Sequence, residues 1–124
     1  MSSSPTAALA DYLDEKARQV KALEAEAEAV IHGEGDQAGY QGLMRRKAEL
    51  LQALAADAAP LVKALGPGLA EAAGERLAGF SLNAENSLRI GSVFFMSALL
   101  YPDEHKPGEP NNLELFAAEV RSWG

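Results

Sequence analysis

Residues 87–101, SLRIGSVFFMSALLY, form the most apolar run of the chain. The run holds two of the four phenylalanines, and Pro102 stops it. From Ile90 to Tyr101 no side chain is charged. That span is about twelve residues, whereas a membrane-crossing helix needs roughly twenty. Val93, Phe94 and Phe95 would suit a strand, but no second strand-like run exists for them to pair with. The run therefore reads as a helix buried at the centre of the fold. Gly91, Ser92 and Ser97 lie between its bulky residues and would let a neighbouring helix approach. Each Phe, Leu, Ile or Met buried here would contribute roughly 1.5–3 kcal/mol. The alternative is that part of the run lines a groove for a partner.

Working outward, 124 residues suggest one domain with a modest core. Alanine is abundant and β-branched residues are few, which favours helix over strand. Without cysteine there is no disulfide framework and no thiolate metal site, as suits a reducing cytoplasm. The first five residues, MSSSP, lack the basic and apolar regions of a signal peptide and suggest a frayed start. A net charge of −7 disfavours nucleic acid and anionic membrane as partners. The one basic cluster, Arg45-Arg46-Lys47, reads as a solvated helix face.

Before the central run, two long amphipathic helices are expected, at 6–32 and 36–59. Leu9, Leu13, Val20, Leu23, Ala27 and Val30 recur in steps of three and four, as do Tyr40, Leu43, Lys47, Leu50, Leu54 and Ala58. Ser4 or Thr6 is a candidate first cap, with Pro5 in the first turn. Gly33 is the expected stop and Asp36 the next cap, so the helices form an antiparallel hairpin. Gly39 and Gly42 weaken helix 2, and close packing against helix 1 would be a reason to keep them. Lys16 and Lys47 interrupt the apolar seams and should either snorkel or pair with an acid of the other helix.

Pro60 is expected to end or kink helix 2, and Gly66-Pro67-Gly68 to break a helical segment over 60–80. Ser81 or Asn83 would cap the central helix at 83–101. Residues 102–112, PDEHKPGEPNN with its own Tyr101 lead-in, read as a loop, and Asn111 or Asn112 as the cap of a last helix at 113–123.

No catalytic motif emerges. His32 and His105 lack a second imidazole at ligand spacing. The pairs Asp11/Glu15, Glu24/Glu28 and Glu71/Glu75 would be the starting point of a metal-dependent all-α hydrolase, but they read as solvated faces. No serine has an evident base, and Gly66-Pro67-Gly68 is no phosphate loop. The expectation is a non-enzyme without cofactor or metal. In the last helix Leu113, Phe116, Val120 and Trp123 share a stripe too short to be stable alone. It must dock on its own bundle or on a partner, and aromatic anchors are typical of partner hot spots.

Gly35-Asp36, then Lys47-Ala48-Glu49-Leu50-Leu51, then Asn83-Ala84-Glu85-Asn86 ahead of Leu88, together resemble the FlgN-type flagellar export chaperones. These are small, acidic, cytoplasmic helical proteins that hold hook-associated subunits before secretion through a C-terminal amphipathic helix. The resemblance covers about residues 5–100. It implies that the partner surface lies on Leu113, Phe116, Val120 and Trp123. Gly66-Pro67-Gly68, the Pro-rich loop and the aromatic central run depart from the family pattern. The sequence thus points to an all-α bundle: an antiparallel long-helix hairpin, a buried central helix and a short C-terminal helix. Its expected role is that of a cytoplasmic protein-binding module, with a homo-oligomeric scaffold as the alternative. Self-association is expected because the two seams exceed what one short helix can cover.

Overall fold

Ser4 opens the first helix in the computed structural model, which describes residues 4–124; the expected fraying of residues 1–3 lies outside the described residues. Its hydroxyl accepts from the Ala7 N–H at 3.1 Å, and Pro5, with no N–H to leave unpaired, takes the first helical position. Six helices follow and no strand appears among the described residues: α1 Pro5–Glu34, α2 Gln37–Gln52, α3 Leu54–Lys63, α4 Pro67–Ile90, α5 Val93–Ala98 and α6 Asn112–Ser122. The fold is all-α.

The hairpin turn lies two residues later than Gly33. Gly35 adopts the left-handed conformation (φ 64°) that ends α1, and the Asp36 carboxylate accepts from the Gly39 N–H at 2.8 Å to start α2. A Cβ on Gly39 would strike that carboxylate, whereas one on Gly42 would meet nothing. The expected close packing of these glycines against α1 is therefore absent, and a shallow hollow of about 280 Å³ lies there instead, between Val30 and Leu43.

Helix 2 does not run to Pro60. It breaks at Ala53, because the Ser81 hydroxyl of α4 inserts into the backbone ladder: it donates to the Leu51 carbonyl and accepts from the Ala55 N–H, both at 3.0 Å. Those two groups would have bonded each other in a continuous helix, and an inserted side chain is a recognised cause of such a bend. Pro60 lies inside α3. It and Ala56, whose carbonyl loses its helical donor, are exposed, so solvent can satisfy that carbonyl.

Gly66 (φ 90°) separates α3 from α4, as the Gly-Pro-Gly stretch suggests. The expected central helix at 83–101 is not there. Nothing breaks the chain between 69 and 90, so α4 runs through Ser81 and Asn83 and stops at Gly91 (φ 74°). Ser92 then caps the six-residue α5, accepting from the Phe95 N–H at 3.1 Å. Leu100, with φ 78°, turns the chain away. This conformation costs a non-glycine residue about 1–3 kcal/mol; the buried Leu100 side chain and the bond from the Asn112 N–H to its carbonyl (3.0 Å) hold it there.

The main core joins Leu9, Leu13, Ala17 and Val20 of α1 to Leu113, Phe116, Ala117 and Val120 of α6, with Leu51, Leu54, Ala58, Ala73 and Leu77 completing it. A second cluster nearer the hairpin turn contains Ala27, Leu43, Met44, Ala48 and Met96. The central run thus sends only Ser87, Met96 and Leu100 inside. No helix among the described residues is long and apolar enough to cross a membrane.

Candidate protein-docking site

Of the four residues expected to meet a partner, Leu113, Phe116 and Val120 lie on α6 and Trp123 is its C-cap. Leu113, Phe116 and Val120 have no exposed surface and Trp123 is half-buried. The Phe116 ring is enclosed by Phe80 (centroids 5.9 Å apart), Trp123 (6.2 Å) and the Arg76 guanidinium (4.6 Å). Asn111 and Glu114 form a reciprocal capping box at 2.9 Å, and Lys21 bridges Glu114 to α1 at 2.9 Å. Arg121 bonds Asp14 at 2.6 Å and Asp11 at 3.0 Å. In this arrangement the apolar face of α6 is covered by its own bundle, and these side chains could reach a partner only if α6 left α1.

Of the large apolar side chains exposed among the described residues, Leu82 and Leu115 lie apart on α4 and α6, and the other three lie where the sequence suggests the deepest core. Phe94 is 75 % exposed, Ile90 61 % and Phe95 49 %, and the two phenylalanine rings tilt against each other with centroids 5.9 Å apart. Ile90 ends α4 and the phenylalanines lie on the first turn of α5, so the three flank the Gly91 bend.

What fixes α5 under this patch is Lys47. Its side chain is fully buried, and its ammonium donates to the Ser97 carbonyl at 3.0 Å, pairs with Glu24 at 2.9 Å and lies 5.1 Å from the centre of the Tyr101 ring. The Tyr101 hydroxyl donates to the other Glu24 oxygen at 2.6 Å. Burial holds the lysine below its ordinary pKa, although Glu24 pulls the other way. Burial first, and then the Glu24 carboxylate, push the Tyr101 phenol far above its ordinary value. The group joins α1, α2 and the far end of α5, so of the two courses open to a seam lysine, snorkelling or pairing across the hairpin, Lys47 takes the second and anchors a third element as well; the solvated face expected for Arg45-Arg46-Lys47 does not include it. Lys16 takes the other course, staying half-exposed with its ammonium 5.4 Å from the centre of the Tyr12 ring.

Beside this network Glu24, Ala27 and Glu28 of α1, Tyr40 and Met44 of α2, and Ser97 and Tyr101 line an open cleft of about 330 Å³. The sequence marks Glu24 and Glu28 as a pair, but nothing in it signals that Ser97 and Tyr101 close over them. The other two acidic pairs, Asp11/Glu15 and Glu71/Glu75, lie exposed on the surface. Glu28 pairs with His32 at 2.8 Å and Glu15 with Arg18. His105 bonds the Glu109 carbonyl at 2.9 Å and packs edge-on against Tyr101. Among the described residues no three His, Asp or Glu side chains converge as metal ligands would.

Set against family models, curated proteins and solved structures, the chain finds no match in any of the three.

Proposed function

We propose that the chain is a non-enzymatic helical protein-binding module acting in the cytoplasm, and that its partner docks on the corner formed by Ile90, Phe94 and Phe95. The observation that supports this is the pair of exposed aromatic rings on a helix anchored from beneath by Lys47 and Met96. Large exposed apolar groups gathered together mark interaction sites, and a rigid support limits the ordering cost of using them.

The test is affinity capture with the wild type and a Phe94→Ser/Phe95→Ser variant, after checking that both melt at the same temperature. A protein retained by the wild type and lost by the variant supports the reading. An identical retained set from both baits overturns it. Recovery of the chain alone, lost on substitution, would make the corner a self-association surface and favour the scaffold. An export chaperone for hook-associated subunits is a second reading, with a different docking site, that rests on the FlgN-type resemblance. It places the partner on Leu113, Phe116, Val120 and Trp123, so α6 would have to leave the bundle. Its signature is a flagellar subunit kept by the Phe94→Ser/Phe95→Ser variant.

A further inference from the structure

We infer that the partner of this corner is a basic amphipathic segment, which sets an apolar side chain on Phe94 and a lysine or arginine in the cleft beside it. The inference rests on the docking reading and adds the chemistry of the occupant. Phe94 and Ser97 are one turn apart on α5, and the Ser97 hydroxyl donates to the Phe94 carbonyl at 2.8 Å. Ser97 in turn lines the cleft, so the exposed ring and the cleft adjoin along a single helix face.

The cleft suits a cation. Its lining includes two carboxylates, Glu24 and Glu28, two tyrosines and the Met44 thioether, and no cationic side chain. Lys47 lies behind the wall with none of its side chain exposed and offsets only the Glu24 charge. Glu28 is 66 % exposed, and its partner His32 lies on the solvent side. Aromatic and thioether walls match the alkyl stem of a lysine or arginine, while the Glu28 carboxylate, the one not taken up by Lys47 and Tyr101, would face its charged head. The net charge of −7 would also draw a basic segment in from solution. Arg89, next to Ile90 in the chain, is tied back to the Asn86 side chain at 2.9 Å.

Three short amphipathic peptides test this: leucine with lysine, leucine with glutamine and leucine with glutamate, titrated against the full chain by calorimetry. The leucine–lysine peptide should bind about tenfold more tightly than the leucine–glutamine one, and the leucine–glutamate peptide most weakly. Glu28→Lys should cost the leucine–lysine peptide about tenfold and leave the leucine–glutamine peptide unchanged. Glu71→Lys is the control for net charge: it lies on an exposed position of the first turns of α4, about 28 Å along the helix from Ile90. Both positions are on the surface, so neither substitution threatens folding. Equal losses from Glu28→Lys and Glu71→Lys would reduce the effect to overall charge and overturn the inference. So would equal affinities for the lysine and glutamine peptides. If those equal affinities both fall on Phe94→Ser, the docking corner stands and only its basic partner is lost. If Phe94→Ser changes no affinity, the docking reading falls as well.

Discussion

The two aromatic segments of this protein have opposite fates. Residues 93–98, VFFMSA, carry no charge yet leave Phe94 and Phe95 in solvent, while α6, NLELFAAEVRS, is interleaved with charges and buries Leu113, Phe116, Ala117 and Val120. The difference is one of length and period. α6 makes about three turns with its apolar residues on one stripe, facing Leu9, Leu13 and Val20 of α1. α5 makes fewer than two turns between the left-handed residues Gly91 and Leu100, and places only Met96 in the core. Density of apolar residues does not determine burial; a sustained stripe with a matching partner does.

The comparison breaks most directly by truncating one ring in each segment. Phe116→Ala should destabilise the protein by about 3–5 kcal/mol, as loss of an enclosed phenylalanine does. Phe94→Ala should change stability by no more than about 0.5 kcal/mol. Urea unfolding of the two variants reads both values, and equal losses would mean that α5 is core after all.

An effect of comparable size is expected from the support beneath α5. Lys47→Ala leaves Glu24 without its buried partner and the Ser97 carbonyl without its donor, and should cost about 3–5 kcal/mol. Lys47→Met/Glu24→Gln removes both charges while keeping the volume, and should recover much of that loss. Failure of the double variant to recover would show that the ammonium's hydrogen bond to the Ser97 carbonyl, which methionine cannot make, holds α5 in place.

Much of the local structure was legible from residue types. Ser4, Asp36 and Asn111 cap the helices that follow them, and Gly66 separates two helices, since each signal acts within a turn of its own position. The all-α class followed from the abundance of alanine and the three- and four-residue steps. What could not be read depends on distant partners. The bend at Ala53 is set by the hydroxyl of Ser81, 26 residues beyond the Ala55 N–H it accepts. The burial of the α6 stripe could not be read for a similar reason: whether Phe94 or Phe116 is covered depends on where the other helices lie, and no local pattern encodes that. Lys47 shows the intermediate case. Its place on an apolar seam marked it as a paired or snorkelling residue, but the choice of Glu24 and the added contact with Ser97 come only from the fold.

The smallest effect sharpens the same comparison through pH. α5 carries no ionisable side chain, whereas α6 is clamped at its first turn by Glu114. Burial pushes the Glu114 carboxyl upward, but the Asn111 N–H and the Lys21 ammonium outweigh it and hold the pKa below the usual 4.5. The unfolded chain therefore binds this proton more readily than the folded one. The stabilisation is complete above the unfolded pKa and is lost as the pH falls through the lower folded value. Glu114→Gln should cost stability at neutral pH, and the gap to the wild type should close at low pH, as the pH falls below the usual glutamate range. Urea titrations at the two pH values give that gap, and hydrogen exchange shows where it acts: in the wild type at low pH, amides of α6 should lose protection ahead of those of α5. A gap that stays constant with pH would mean that Glu114 acts through its cap geometry alone, leaving α6 held to α1 by its buried stripe and not by charge.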